Sequence, residues 1–310
     1  MKFEEAIILL EERESDMSKI FPNLRRGIIV PPQIGDNNTD RWLDFADGGA
    51  AGKPVVVTEI EKIGLKAVTQ RLDPISRNHS IAMGATGAAF MWFALNTFSV
   101  ECEERHDRLF RDMTFSDTAM MFAMHDIGKS YIPREIIDKR GILSKEERER
   151  MKVHSILGEL ENRSMFSKVR YGQFKRFVGM IAEYHHSPAT LGNPGCPFVV
   201  HIATLADILD ALGSDRSYRS ALPPGEIKDH MNRRMKEKYL DEILTEEVLY
   251  RNWDFVEKLL LIRRSLGDMS IAAAKEYFNL VEYMVVERLL LLEKDQKKTY
   301  GCPRGHVRTA

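Results

Sequence analysis

Hydrophobic residues recur at helical spacing along most of this chain. Within residues 72–219, five segments carry apolar side chains three and four positions apart, which places them on one face of an α-helix. These segments are residues 81–98, 115–124, 145–158, 174–185 and 200–212. Beyond Pro224 the pattern predicts a helix beginning at Thr245 and a long, strongly apolar one over residues 270–293. The chain is therefore predicted to be mainly α.

Polar and turn-forming residues mark where some of these helices begin and end. Ser144 followed by Glu147 has the spacing of a capping box, so the third helix is predicted to begin there. The Ser-Pro pair at residues 187–188 and the Gly-Asn-Pro-Gly run at residues 192–195 predict a loop between the fourth and fifth helices.

The two ends of the chain differ from this helical core. Residues 3–20 are predicted to form an amphipathic helix, residues 21–53 are rich in Gly, Pro, Asn and Asp, and the β-branched residues 54–58 predict a short strand. We predict a small N-terminal α(+β) region with a regulatory or packing role over residues 1–70, a helical core over 71–225, and a C-terminal helical extension over 226–310. The last helix has more apolar surface than one face needs, so it is expected to pack between domains or to form a homodimer.

One stretch is long enough to span a membrane. Residues 81–100 contain no charged side chain over twenty positions. They include Thr86, Asn96 and two glycines, however, and acidic residues follow at once. We therefore interpret this stretch as a buried core helix and predict no membrane span.

Composition narrows the class of protein. The chain has 310 residues, of which 44% are hydrophobic and 29% charged, and its formal net charge is −1. These values are typical of a soluble globular protein and argue against a surface that binds a nucleic acid polymer. The three cysteines Cys102, Cys196 and Cys302 are far apart and form no CxxC pair, so we expect reduced thiols in a cytoplasmic protein. The glutamate-rich first sixteen residues do not have the pattern of a secretory signal.

The sequence His-Asp-Ile-Gly-Lys at residues 125–129 carries the strongest chemical signal. His125 offers an imidazole nitrogen to a metal ion, and Asp126 offers a carboxylate that can bridge to a second ion. Gly128 is expected to allow a tight turn after the pair, and Lys129 places a cation where a phosphate oxygen can bind.

Four further histidines and one aspartate extend this signal. They are His79, His154, His185, His186 and Asp207. Asp207 falls among apolar residues of a predicted helix, where a carboxylate is costly unless it is paired or metal-bound.

Each of these residues also has a simpler explanation. His79 precedes the uncharged helix and can start it, and His154 can be a hydrogen-bonded surface histidine. The two adjacent histidines can cap a helix, and Asp207 can pair with Arg216. Taken together in this order, they indicate imidazoles and carboxylates from five helices that enclose two divalent ions.

The order of these residues resembles that of the HD-domain metal-dependent phosphohydrolases. The likeness is greatest to the HD-GYP branch, which hydrolyses the bacterial messenger cyclic di-GMP, and it covers residues 76–221. The segments that carry it are residues 125–129 with Ile132-Pro133, residues 143–147 leading to 151–154, the pair 185–186, and residues 206–212 and 214–219. The resemblance implies an HD-domain helical bundle as the fold of residues 71–225.

The resemblance also implies roles for individual residues. The metal ligands would be His79, His125, Asp126, His154, His185, His186 and Asp207. Asp126 would bridge two divalent ions and Lys129 would stabilise the reacting phosphate, so both would act in catalysis. Arg216 and Arg219 would join Lys129 in holding the substrate. Mixed imidazole and carboxylate ligands favour iron or manganese, with nickel, zinc and magnesium left open.

The chain departs from the family's pattern at three places. Ser187 stands where a glutamate usually follows the double histidine, and Gly195-Cys196-Pro197 replaces a Gly-Tyr-Pro. Ile75 occupies the position of a glutamate that supports a third metal in some members, which favours two metals here.

Three functions follow from this reading. The favoured one is a metal-dependent phosphodiesterase that hydrolyses cyclic di-GMP or a related cyclic dinucleotide. The alternatives are an HD phosphohydrolase acting on another nucleotide or phosphate ester, favoured by the altered loop, and a catalytically silent signalling receptor or scaffold that retains metal.

Overall fold

Helices make up most of the protein that the structure describes. The computed structural model describes residues 58–97, 113–169, 172–186, 198–215, 219–237 and 239–300, and no β-strand element occurs in these ranges. The α-helices are α1 (Glu59–Arg71), α2 (Pro74–Thr97), α3 (Phe115–Ala123), α4 (Arg134–Ile137), α5 (Lys145–Met165), α6 (Gly172–Tyr184), α7 (Phe198–Gly213), α8 (Pro224–Lys236), α9 (Glu242–Leu244), α10 (Trp253–Ser265) and α11 (Ile271–Tyr300). A 3₁₀ helix, Met124–Tyr131, follows α3, and a π-helical turn and a 3₁₀ turn join α9 to α10. The predicted mainly α fold is confirmed.

Helix α2 lies at the centre of the bundle. It packs against α3, α7 and α11, and its residues from His79 to Ala94 are buried on every side. Trp92 meets Phe115 of α3 edge to face at 5.3 Å between ring centroids, and Phe93 meets Phe255 of α10 at 5.0 Å. A helix that is apolar all round must be surrounded by protein or lipid, and here protein surrounds it.

The membrane question raised by residues 81–100 can be answered over the described part of that stretch. No helix of the described ranges combines the length and the hydropathy needed to cross a bilayer. The interpretation of this segment as a core helix is confirmed for residues 81–97.

Helix α2 begins earlier than its apolar pattern suggested. The side chain of Asp73 accepts hydrogen bonds from the backbone N–H groups of Ile75 and Ser76, both at 3.0 Å, and the helix starts at Pro74. His79 therefore lies within α2, and the idea that it starts the helix is wrong. A proline in the first turn fits, because its missing N–H would have no helical partner there.

The capping box predicted at Ser144 is confirmed. Glu147 N donates to Ser144 Oγ at 3.2 Å, and Ser144 N donates to Glu147 Oε2 at 2.6 Å. Helix α5 continues to Met165, well past the predicted end at residue 158.

Two other predicted starts need correction or lie outside the described residues. The helix expected at Thr245 begins at Glu242 instead, because Asp241 accepts from Leu244 N at 2.7 Å and forms the cap. Of the predicted strand 54–58, only Thr58 is described, and it caps α1 by accepting from Glu61 N at 3.1 Å. The remainder of the N-terminal region, residues 1–57, lies outside the described residues.

The C-terminal helices pack onto the core. Helix α11 contacts α1, α2 and α3, and it buries Tyr277, Phe278, Val281 and Val285 there. Much of its surplus apolar surface is therefore covered within the chain. The homodimer and the domain divisions at residues 70 and 225 stay predictions.

Candidate metal centre

All seven predicted metal ligands are described, and the structure brings them together. His79 comes from α2, His125 and Asp126 from the 3₁₀ helix, His154 from α5, His185 and His186 from the end of α6, and Asp207 from α7. All are buried except His186, whose side chain is 50% exposed. The cluster therefore lies in the interior and opens on the side of His186.

The 3₁₀ helix reaches α5 through a glycine. A Cβ atom at Gly128 would lie 1.9 Å from the backbone oxygen of His154 and 2.6 Å from Gly158 N, so no other residue fits without moving the backbone. Asn162 of α5 ties the two elements further by donating to Met124 O at 3.2 Å. Gly128 was expected to serve a tight turn, but the structure shows that it serves close approach, which brings Asp126 beside His154.

One group of ligands surrounds one oxygen of Asp126. His125 Nε2 lies 3.2 Å and His79 Nε2 lies 3.6 Å from Asp126 Oδ2. Asp207 Oδ1 closes this group, 3.0 Å from His79 Nε2 and 3.9 Å from His125 Nε2. Two imidazoles and two carboxylates thus face one small space.

A second group surrounds the other oxygen of Asp126. His154 Nε2 lies 3.2 Å and His185 Nε2 lies 3.8 Å from Asp126 Oδ1. Ligand atoms of His154, His185, His186 and Asp126 all lie within 4.8 Å of one another. Asp126 is therefore shared by two groups, each with enough donors for a cation.

The outward nitrogens of three buried histidines are held by backbone carbonyls. His125 Nδ1 lies 3.0 Å from Phe122 O, His154 Nδ1 lies 2.5 Å from Met151 O, and His185 Nδ1 lies 2.9 Å from Ala182 O. A carbonyl oxygen can only accept, so Nδ1 carries the proton in each ring and Nε2 keeps its lone pair. His79 differs, because its Nδ1 contacts the carboxylate of Asp210 at 2.6 Å.

These tautomers make the cluster a good fit for cations. His79 Nε2 and His125 Nε2 are 3.3 Å apart, and His154 Nε2 and His185 Nε2 are 3.5 Å apart, so lone pairs face each other. Asp126 Oδ1 is buried and makes no hydrogen bond. A divalent cation would relieve the repulsion and satisfy the carboxylate, and imidazole with carboxylate is a common donor set for such ions.

The carboxylates of the cluster are ionised. Burial alone would raise the pKa of Asp126, but the charge of Lys129 and the contacts with His125 and His154 hold it well below its usual value. Burial likewise acts to raise the pKa of Asp207, and the contacts with His79 and His186 hold it well below its usual value. Both oxygens of each residue are therefore acceptors.

The buried histidine beside them is neutral. Burial lowers the pKa of His185 well below its usual value, and repulsion by His186 and His125 adds to this. Burial also lowers the pKa of His186, against the opposing charge of Asp207. A neutral imidazole is the form that binds a metal ion.

Lys129 lies against the shared carboxylate. Its Nζ is 2.5 Å from Asp126 Oδ2, and its side chain is 18% exposed. The ammonium group therefore reaches the cluster with access to solvent, and its contact with a phosphate stays a prediction.

The two arginines predicted to hold substrate are in different situations. Arg219 donates to the carbonyl oxygens of Ala211 at 2.5 Å and Leu212 at 3.2 Å, so it caps the end of α7. Its role in substrate binding stays a prediction. Arg216 and the loop over residues 187–197 lie outside the described residues, and so does the proposed pairing of Arg216 with Asp207.

Two residues next to the cluster, the buried Asp210 and the largely buried Arg263, were not singled out from the sequence. Asp210 contacts His79, and Arg263 of α10 donates from Nε to Asp210 Oδ1 at 2.8 Å. The available signal was the second carboxylate three residues after Asp207, on the same apolar helix. Nothing in the sequence indicates Arg263, because it lies about fifty residues further on, in the C-terminal extension.

Comparison with known proteins agrees with this arrangement. Residues 101–212 match the HD domain family. The chain is 31% identical over 153 residues to 3′3′-cGAMP-specific phosphodiesterase 2 of Vibrio cholerae, which covers 47% of this chain and 27% of the relative. It is 34% identical over 129 residues to a cyclic di-GMP phosphodiesterase of Thermotoga maritima, covering 37% of this chain and 33% of the relative.

A second Vibrio cholerae protein, 3′3′-cGAMP-specific phosphodiesterase 3, is 28% identical over 128 residues, covering 38% of this chain and 26% of the relative. The chain thus spans about a third or less of the length of these relatives. His79 lies outside the HD match, while the other six ligands lie within it. The part of the chain that holds these six residues is therefore similar to an HD domain.

Proposed function

We propose that this chain is a metal-dependent phosphodiesterase that hydrolyses a cyclic dinucleotide, with cyclic di-GMP and 3′3′-cGAMP as the leading substrates. The observation that carries the proposal is the carboxylate of Asp126, shared by two groups of mostly buried candidate ligands. One aspartate between two donor sets suits two adjacent divalent ions, which is the arrangement that many phosphoester hydrolases use. The names of the similar proteins support the substrate class.

The residues of the site have two roles, because most would hold cations and Lys129 would contact the phosphate. When bound, two divalent ions would lower the pKa of a water and offset the charge of the phosphoryl oxygens. His79, His125 and Asp207 would hold one ion, His154, His185 and His186 the other, and Asp126 both. Iron or manganese suits this donor set, and nickel, zinc and magnesium remain to be tested.

Lys129 supplies the chain's own positive charge at the reacting phosphate. Its ammonium group is partly exposed and lies against the shared carboxylate, so a phosphodiester arriving at the ions would meet it. A lysine acts there as a point charge that steadies a phosphoryl oxygen as negative charge develops. Hydrolysis would add the elements of water across one phosphodiester P–O bond and open the ring to a linear dinucleotide.

The altered loop favours a second candidate. Ser187 and Gly195-Cys196-Pro197 replace residues that, by the family resemblance, help to hold a guanine nucleotide. An HD phosphohydrolase acting on another nucleotide or phosphate ester would keep the metal ligands and change this loop. Substrate identity therefore has to be measured.

The test uses the full chain loaded separately with Mn²⁺ and, without oxygen, with Fe²⁺. Each form is incubated with cyclic di-GMP, 3′3′-cGAMP and a panel of nucleotides and phosphate esters. The products are separated by chromatography and identified by mass spectrometry. We expect a linear dinucleotide or nucleoside monophosphates from at least one cyclic dinucleotide, and none from the Asp126→Asn variant.

Other outcomes would change the assignment. Turnover of other esters alone would support the second candidate. Tight binding of a cyclic dinucleotide without turnover by any metal form would indicate a silent receptor or scaffold.

A further inference from the structure

A buried ion pair connects the metal cluster to the C-terminal helices. The series of hydrogen bonds begins at His79, whose Nδ1–H donates to Asp210 Oδ2 at 2.6 Å. The other oxygen of Asp210 accepts from Arg263 Nε at 2.8 Å. The side chains of Asp210 and Arg263 are only 3% and 11% exposed, so the pair is shielded from solvent.

We propose that Asp210 and Arg263 position His79 as a metal ligand, so that α10 completes a centre whose other parts come from the bundle before it. This inference rests on the metal binding that the proposed function requires. The carboxylate fixes the proton on Nδ1 and turns the lone pair of Nε2 inward, and an anionic partner makes an imidazole a stronger donor.

His79 is the ligand whose orientation depends most on a distant contact. His125, His154 and His185 each bond through Nδ1 to a carbonyl three or four residues earlier in their own segment. Those contacts form as soon as the segment folds. The partner of His79 lies 131 residues away on α7, so its ring is set only when α2 and α7 pack together.

Arg263 is needed because of where Asp210 lies. A buried carboxylate with no compensating charge is strongly unfavourable, and it would gain a proton or draw in water. With the guanidinium on one oxygen, the other oxygen stays an acceptor for His79. Arg263 thus acts through Asp210 and touches neither the ions nor the substrate.

A purely structural role for the pair would be to fasten α10 to α7. That connection is already made by the next residue, because Arg264 donates to Gly213 O at 3.5 Å and also to Leu222 O. Burying the Arg263 guanidinium and a carboxylate beside a candidate metal ligand adds little to the connection that the exposed Arg264 already makes. A positioning role, by contrast, explains why Asp210 is kept charged and why one of its oxygens faces Nδ1 of His79.

The test measures metal affinity, a readout that does not depend on the substrate. Full-length protein is stripped with a chelator and titrated with Mn²⁺, and bound metal is measured after equilibrium dialysis. We expect Asp210→Asn and Arg263→Met each to weaken binding of at least one ion by about 10- to 100-fold, the usual cost of losing a group that orients a ligand. Arg288→Met is the matched control, because Arg288 is another largely buried guanidinium, bonded to Asn252 and Asp254.

A double variant separates positioning from stability. Asp210→Asn with Arg263→Met removes both charges of the pair, so neither loses its counter-charge while staying charged. The unfolding midpoint of the metal-free protein should then rise above that of Arg263→Met. If the pair positions His79, metal affinity in the double variant stays as low as in Asp210→Asn. If the pair only stabilises the fold, metal affinity follows the unfolding midpoint through all four variants, and that result overturns the inference.

The outcomes also distinguish this inference from the proposed function. Wild-type protein that binds metal and hydrolyses a cyclic dinucleotide, with variants of unchanged affinity, would overturn the inference alone. Protein that binds metal, loses affinity in the variants and cleaves no cyclic dinucleotide would overturn the proposed function alone. Wild-type protein that binds no divalent ion would overturn both.

Discussion

The two halves of the metal centre differ in how far they are closed. The half with His79, His125 and Asp207 is buried and backed by Asp210 and Arg263. The half with His154, His185 and His186 is open, because half of the surface of the His186 side chain meets solvent. Under the proposed function, the closed half would mainly hold an ion, and a phosphate would enter on the open side.

The largest effect is expected where the two halves meet. Asp126→Ala removes the carboxylate common to both groups, so metal loading and hydrolysis should be lost together. Metal ions contribute several kcal/mol of charge stabilisation, and each 1.36 kcal/mol is tenfold in rate, so we expect a loss of about 10³-fold or more. Metal content by atomic absorption and turnover by chromatography measure both effects, with circular dichroism as the check on folding.

The closed and open halves should respond unequally to loss of one histidine. His79→Ala should release one ion under mild dialysis, because its donor cannot be replaced in a buried space. His186→Ala leaves room for water in the vacated position, so we expect its metal affinity to fall by about tenfold or less, at the low end of what altered ligand shells cost. Equal losses of metal affinity in the two variants would show that the exposure of a histidine does not determine how much it contributes to metal binding.

Replacing Lys129 should reduce turnover without reducing metal binding. Lys129→Ala removes a charge that contacts Asp126 without being a metal ligand, so metal content should stay near that of the wild type. Turnover should fall by about 10²-fold, the typical cost of removing one group that stabilises developing charge. A Lys129→Ala protein that has also lost its metal would contradict this division of labour.

The smallest predicted effect is on the stability of the metal-free protein in mild acid. His185 is neutral in the folded chain because burial lowers its pKa well below 6.5, whereas in the unfolded chain it gains a proton below about pH 6.5. Neutral His185 therefore makes its full contribution to the free energy of unfolding above about pH 6.5, and this contribution decreases as the pH falls below that value. At pH 5.5 this amounts to about 1.4 kcal/mol, or an unfolding midpoint about 2–4 °C lower than at pH 7.5.

A matched variant checks the source of that pH effect. His185→Gln keeps a polar side chain that does not titrate, so its unfolding midpoint should change less between pH 7.5 and pH 5.5. An equal change in both proteins would assign the effect to other groups. Differential scanning calorimetry of chelator-treated samples at both pH values gives the comparison.

The core helices could be predicted from the sequence because their signals are local. Apolar spacing and the capping box at Ser144 depend on residues within a few positions, and both were confirmed. The start of α2 was missed because the pattern began at the apolar run, whereas Asp73 fixes the start about two turns earlier. The helix start at Thr245 was misplaced for a similar reason, since Asp241 is the residue that caps.

That the seven candidate ligands lie close together could be predicted, but the residues that hold them in place could not. The family resemblance connects histidines and aspartates that are far apart in the sequence, and the structure brings all seven together. Arg263 has no such signal, because an arginine in an amphipathic helix is usually solvated and its contact with Asp210 exists only after α7 and α10 pack. The role of Gly128 was misjudged for the same reason, since a close approach involves the partner helix.

The absent side chain at position 128 also bears on how relatives of this chain are judged. A single methyl group there would collide with the backbone oxygen of His154 and force the two segments apart. Every histidine and aspartate would still be present in the sequence, yet Asp126 could no longer face both groups of candidate ligands. Counting ligands in an alignment would score such a protein as an active enzyme, so the residue two places after the His-Asp pair should be inspected before activity is assigned.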